Sequence, residues 1–143
     1  MKLKYHIAAT VVVSGSLYLF FHSAAMFTSS LVTGIFIDLD HVIDYYRHTG
    51  INFRVRNFFE WCYNDHWDTL IIFLHSVELV LVLWVVTLSC KFNYILFGAA
   101  IGMSQHLVLD IIFNGYKVYV FSYFFTYRVL KAFKKEHIIR ERC

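Results

Sequence analysis

Eight histidines and ten acids stand in a chain of 143 residues that is 59% hydrophobic and only 16% charged. Their spacing is what could do chemistry. His6 opens a long apolar run, and Asp38, Asp40, His41 and Asp44 cluster at the end of the next one. Asp68, His75 and Glu78 follow, and His106 and Asp110 form an H-x-x-x-D pair. On a helix, at ~100° per residue, His75 and Asp68 fall within ~20° of each other and His106 and Asp110 within ~40°. Three or more imidazoles with several carboxylates, and no thiolate among them, are a donor set for a divalent ion such as Zn²⁺, Mn²⁺ or Fe²⁺. The number of carboxylates would accommodate one or two ions. An ion in such a set lowers the pKa of water towards ~7, the chemistry of a hydrolase.

The elements that must position these groups are membrane helices. An ordinary soluble domain carries about 25% charge, so 16% leaves too little polar surface to coat a globule of this size. Residues 5 to 37 hold no Asp, Glu, Lys or Arg. That is ~50 Å of helix, too long for one crossing, and it predicts a hairpin. The polar cluster Thr28-Ser29-Ser30 marks the expected turn, between helices over about 6 to 26 and 30 to 47. A third helix is expected over 69 to 90 and a fourth over 92 to 114, joined by a turn at Cys90 to Asn93. The fourth repeats every fourth residue as Gly98, Gly102, His106, Asp110, Asn114, a small-x-x-x-small stripe that turns into ligands. The expected fold is an all-α integral membrane bundle of about four helices. It has a cytoplasmic loop helix near 53 to 63 and a basic amphipathic C-terminal tail, which divides the chain into a membrane-embedded domain, 1–127, and the tail, 128–143.

Four crossings put both termini and the loop between helices two and three on one side. Twelve of the thirteen basic residues lie there and only Lys91 lies opposite, so the positive-inside rule places both termini in the cytoplasm. Lys2 and Lys4 before an apolar run imitate a signal peptide, but the hydrophobic stretch resumes at once and favours a retained helix. A net charge of +3 is too mild for nucleic acid. Arg128, Lys131, Lys134, Lys135, Arg140 and Arg142 suit anionic lipid headgroups, so membrane lipids are the expected partners. Cys62, Cys90 and Cys143 show no zinc-knuckle or disulfide spacing.

Each acid or imidazole inside a membrane costs ~2.5–3.5 kcal/mol on insertion scales, so each needs a partner or a purpose. Pairwise helix glue would explain any one pair. Four sets arriving at one depth from four parts of the chain point instead to one polar pocket. His22 and His137 lie outside it, His48 and His66 fall on the loop of the same side, where a solvated role is favoured over a catalytic one, and Ser76 points ~100° away from His75, which counts against a Ser-His nucleophile pair.

The order His6, then Asp38-x-Asp40-His41, then His75-Ser76, then Gly102-x-x-x-His106-x-x-x-Asp110 with Asn114-Gly115, resembles the YdjM-like family of bacterial inner-membrane metal-dependent hydrolases over residues 6 to about 125. The chain departs from that pattern at Ile37, at Phe73-Leu74 and at Val120-Phe121-Ser122. The resemblance implies a multi-pass protein of the bacterial inner membrane and a metal set of His6, Asp38, His41, His75, His106 and Asp110, zinc first. Glu78 and Asp40 are the expected catalytic residues, Glu78 as general base or hydrogen-bond acceptor and Asp40 orienting the set. The expected reaction is hydrolysis of an ester or phosphoester of a lipid or lipid-linked substrate at the cytoplasmic face. The competing expectations are a small metal-ion permeation unit and a non-catalytic assembly or scaffold protein.

Overall fold

The structure is a computed structural model that describes residues 3–50, 54–64 and 66–140. Lys2, Phe53, Asp65, Arg142 and Cys143 lie outside the described residues. The elements are α1 (Leu3–Phe21), α2 (Ala24–Phe36), α3 (Leu39–Thr49), α4 (Val55–Asn64), α5 (Val77–Ser89), α6 (Tyr94–Asn114) and α7 (Phe125–Leu130), with 3-10 turns at Val120–Tyr123 and Lys135–His137. Among the described residues there is no β-strand, only isolated bridges pairing Thr69 with Lys134 and Val118 with Ile139. Three segments are long and apolar enough to cross a membrane: Leu3–Phe21, Ala24–Thr49 and Tyr94–Asn114. Val77–Ser89 is a shorter apolar helix. Large apolar side chains such as Leu19, Phe20, Val85 and Ile112 are exposed around them, a surface that water would not tolerate over so wide an area.

The first hairpin turns earlier than expected. The chain reverses at His22, whose φ of 49° is left-handed, and at Ser23, whose hydroxyl accepts from the Met26 amide and caps α2. Thr28, Ser29 and Ser30 are helical. Their polarity does not require a turn because hydroxyls bond inside the bundle: Ser29 donates to the Met26 carbonyl, and Ser14 donates to the wholly buried Ser30 at 3.0 Å, tying α1 to α2.

Helices α2 and α3 are almost continuous, broken at Ile37 and Asp38, where the Asp40 and His41 amides reach back three residues to the Ile37 and Asp38 carbonyls. Asp38 therefore sits at the break, while Asp40 and Asp44, one turn apart, are buried on one face of α3.

The expected third helix is cut short. It begins at Val77, capped by the Ser76 hydroxyl on the Leu79 amide, and residues 66 to 76 form a non-helical strap. The strap's backbone finds partners elsewhere: Asp44 accepts from the Ile71 amide at 2.8 Å, Asp40 from the Leu74 amide, and Phe133 from the Leu70 amide at 3.0 Å. With those amides satisfied, the helical ladder is not required.

The fourth helix and the preceding turn match expectation. Lys91 and Phe92 have left-handed φ, and Asn93 caps α6. A Cβ on Gly98 would stand 2.3 Å from the Met26 carbonyl oxygen, and one on Gly102 would stand 2.4 Å from that of Ser30. The glycine stripe thus brings α6 against the backbone of α2.

The segment after α6 folds back over the strap. The Tyr119 amide bonds the Ile138 carbonyl and the Arg140 amide that of Lys117. Ile138 is buried in a cluster with Tyr45, Trp67 and Leu70. Arg128, counted in the sequence among the headgroup-binding cations, is wholly buried.

Candidate metal centre

Four elements deliver the polar groups to one place. The first turns of α1 supply His6, the break between α2 and α3 supplies Asp38, the strap supplies His75, and the last third of α6 supplies His106 and Asp110. All but Asp38 are buried; its side chain is 27% exposed and forms the open side of the cluster.

The tautomers are set from behind. His106 Nδ1 lies 2.8 Å from the Gly34 carbonyl oxygen, which can only accept, so Nδ1 carries a proton and Nε2 is the nitrogen that faces forward. His75 Nδ1 lies 3.5 Å from Asp40 Oδ2, an arrangement with the same consequence. The two forward Nε2 atoms meet two carboxylates. His75 Nε2 is 3.3 Å from Asp38 Oδ1 and 3.6 Å from Asp110 Oδ2. His106 Nε2 is 3.4 Å and 3.5 Å from the same two oxygens.

Those distances are short, yet neither Nε2 has a hydrogen-bond partner among the described residues. Buried nitrogens aimed between two carboxylates, in contact but without an aligned hydrogen bond, fit a divalent ion. Donor atoms held ~2.0–2.2 Å from a tetrahedral ion lie ~3.3–3.6 Å from one another, the separation found here. Carboxylate with imidazole, without sulfur, suits Zn²⁺ and also Mn²⁺ or Fe²⁺.

A second grouping adjoins the first. His6 Nε2 lies 3.0 Å from Asp110 Oδ1, and the His6 ring stacks on His106 with centroids 4.1 Å apart. Donor atoms of His6, His106 and Asp110 fall within 4.8 Å of one another, as do those of Asp38, His75 and His106. Asp110 faces both ways, Oδ1 to His6 and Oδ2 to His75 and His106. Asn114, one turn on, donates to Oδ1 at 2.6 Å.

His41 stands beside this set. Its ring centroid is 5.1 Å from that of His75 and 6.4 Å from Trp67, and it belongs to neither grouping. Asp40 takes the orienting position behind His75. Glu78 is elsewhere: its carboxylate accepts from the Phe125 amide at 2.8 Å, the Thr126 amide at 3.0 Å and the Thr126 hydroxyl at 2.8 Å. Both oxygens accept from the start of α7, which places Glu78 as a hydrogen-bond acceptor away from both groupings. Asp68 contributes its backbone carbonyl to the Lys135 amide and is absent from both groupings.

Sequence reasoning missed Gly34, whose role is a carbonyl that no side-chain pattern reveals, and Arg128, which looked like one more tail cation. Its Nη1 donates to the Ile72 carbonyl and its Nη2 to that of His75, the latter at 3.1 Å. Burial pulls the guanidinium's pKa down, while the charges of Asp40, Glu78 and Asp44 push it back up. The signal for Asp44 was present in its spacing from Asp40.

A cavity of about 550 Å³ opens beside the cluster, within the usual range for small-molecule sites. His6, Asp38, His75 and Asp110 form its polar floor. Leu39, Val42, Phe58, Phe59 and residues of the returning C-terminal segment, including Tyr123 and Ile138, form apolar walls. Burial, with the Asp110 charge nearby, pushes the Tyr123 phenol up, so it stays neutral. Comparison of the chain with family models, with curated proteins and with solved structures returns no match.

Proposed function

We propose that this chain is a membrane-embedded metal-dependent hydrolase acting on an ester or phosphoester of a lipid or lipid-linked substrate, with zinc the leading candidate ion. The observation that carries this reading is the pair of buried Nε2 atoms, of His75 and His106, held 3.3–3.6 Å from Asp38 and Asp110 without hydrogen bonds. His75, His106, Asp38 and Asp110 would hold one ion. His6, His106 and Asp110 form the grouping that would hold a second. His41 is close enough to complete the shell after a side-chain movement. The chemistry that a divalent ion held by this set would supply is that of a Lewis acid and of a more acidic bound water.

The remaining roles belong to the chain's own groups. Asp40 and the Gly34 carbonyl keep the His75 and His106 protons on Nδ1, so that both Nε2 atoms are free to bind. The apolar walls exclude bulk water and fit an acyl or isoprenoid body, while the exposed edge of Asp38 leaves the floor reachable from the cavity. The positive-inside rule puts the site at the cytoplasmic face, and Lys131, Lys134 and Lys135 are available for anionic headgroups. The resemblance to the YdjM-like pattern supports the same reaction class.

The permeation reading is less well supported by the packing. The buried polar residues running inward from His6 are Thr10 and Ser14, and they are consumed in contacts with Gly34, Gln105 and Ser30. A Cβ on Gly34 would meet Thr10 Cγ2 at 2.6 Å, which leaves no path for an ion there. Hydroxyls in that setting are helix glue.

Metal analysis of the purified protein tests the proposal. The wild-type chain should carry one to two equivalents of a divalent metal, and His106→Ala should lose most of it. Wild-type protein without stoichiometric metal, or unchanged content in His106→Ala, would sink the reading. A hydrolysis screen on phospholipids and lipid-linked phosphates then addresses the bond.

A further inference from the structure

His75 lies on the non-helical strap, well away from any helix end but that of α5, and a ligand on irregular backbone needs its position fixed by neighbours. Its ring and the preceding amide are both held by Asp40. Its carbonyl is held from the opposite side by Arg128, whose second terminal nitrogen takes the Ile72 carbonyl three residues earlier. The planar fork of a guanidinium suits two carbonyls at a fixed separation, where an ammonium would serve one.

Arg128 is kept in reach by a bond running the other way. Glu78, three residues past His75, accepts from the amides of Phe125 and Thr126 and from the Thr126 hydroxyl, holding the start of the short helix whose last turn carries Arg128. The Phe125 ring packs 5.6 Å from the guanidinium carbon. Beyond the helix, the Phe133 amide bonds the Arg128 carbonyl and the Phe133 carbonyl accepts from Leu70, closing the connection back onto the strap. A wholly buried cation whose direct partners are carbonyls is costly, and an apolar side chain would fill the space without that cost. What the guanidinium adds is the placing of the His75 backbone.

We infer that Arg128 is a positioning residue for His75, and that Glu78 and Arg128 together form a reciprocal clamp coupling the docking of the C-terminal segment to occupancy of the metal site. This inference rests on the metal reading above for its second half only. By linkage, each event strengthens the other: metal steadies the C-terminal segment, and a released segment weakens metal binding.

The experiment uses the full chain in detergent, with two readouts. The first is amide hydrogen exchange over residues 70–76, with and without Zn²⁺; the second is Zn²⁺ affinity by chelator competition. Arg128→Gln should speed exchange of the Leu70, Ile71 and Leu74 amides and weaken Zn²⁺ binding about 10–100-fold, the usual effect of losing a group behind a ligand. Arg128→Lys should fall between this variant and the wild type, and free guanidinium added to Arg128→Ala should restore part of the affinity. Lys131→Gln, at an exposed neighbour, should change neither readout. Should Arg128→Gln be too unstable to purify, Arg128→Lys and the guanidinium rescue carry the same comparison. Exchange in Arg128→Gln and Arg128→Lys equal to wild type overturns the clamp, whatever the metal result. Wild-type protein that takes up no Zn²⁺ overturns the metal reading and its coupling, and the exchange result alone then decides the clamp.

Discussion

Two carboxylates only two residues apart, Asp38 and Asp40, do different work because the chain breaks between them. Asp38 ends up at the junction of α2 and α3 with its oxygen between two imidazole nitrogens, whereas Asp40 is turned under the strap and holds the back of His75 and the Leu74 amide. The two substitutions should therefore separate. Asp38→Asn replaces an anionic oxygen ligand by a neutral, weaker one and should abolish most metal uptake. Asp40→Asn keeps every proposed ligand but loosens the His75 tautomer and one strap amide, so affinity should fall about 10–100-fold with stoichiometry retained at saturating metal. A metal titration with a competing chelator checks both, and equal losses in the two variants would show that Asp40 is itself a ligand.

Element packing sets the distance that the residue chemistry requires. His106 and its Gly34 partner lie on α6 and α2, and the contact between those helices is closed by Gly98 and Gly102, where an added methyl meets backbone carbonyls that cannot move aside. Gly102→Ala should lower stability by about 1–3 kcal/mol and weaken metal binding as well, because α2 must withdraw from His106. Gly15→Ala in α1 meets nothing within 4 Å, and should leave metal binding intact while raising stability by up to about 1 kcal/mol. Thermal unfolding in detergent with a parallel metal assay separates the two, and a neutral Gly102→Ala would contradict the packing argument. The glycine stripe was legible in the sequence, as were H-x-x-x-D and Asp-x-Asp-His, because each pattern lies within one or two adjoining elements. The strap was not. Leu70 to Leu74 is an uninterrupted apolar run that reads as helix, and the groups that satisfy its backbone are 27, 34 and 56 residues away, on Asp44, Asp40 and Arg128. Glu78 was misread for a similar reason: its spacing from His75 fits one helix, but His75 is not on it. The turn at His22 was hidden by hydroxyls at Thr28 to Ser30, whose partners lie across a helix interface.

At the scale of the whole molecule, the strap becomes intelligible as backbone at membrane depth. α5 has 13 residues, about 20 Å of helix, which falls short of the roughly 30 Å of hydrocarbon a crossing must cover. On the proposed four-crossing topology irregular backbone would complete the span, and in lipid such backbone survives only where protein satisfies its polar groups. Here Asp40, Asp44 and Arg128 do so from both sides. The His-Asp cluster, the strap and the Glu78 and Arg128 contacts therefore all belong to one end of the bundle, and the turn at residues 90 to 93 belongs to the other. The chain carries its own reporters of that arrangement: Cys90 is exposed at the far turn, and Cys62 lies on α4 at the site end, partly covered. With Cys143 replaced by Ser, a membrane-impermeant maleimide applied to intact cells should label Cys90, and Cys62 should react only after permeabilisation or partial unfolding. Labelling of Cys62 from outside, with Cys90 protected until the cells are opened, would invert the protein. It would also move the proposed hydrolytic site to the outer face, although the internal geometry of the cluster would stand unchanged.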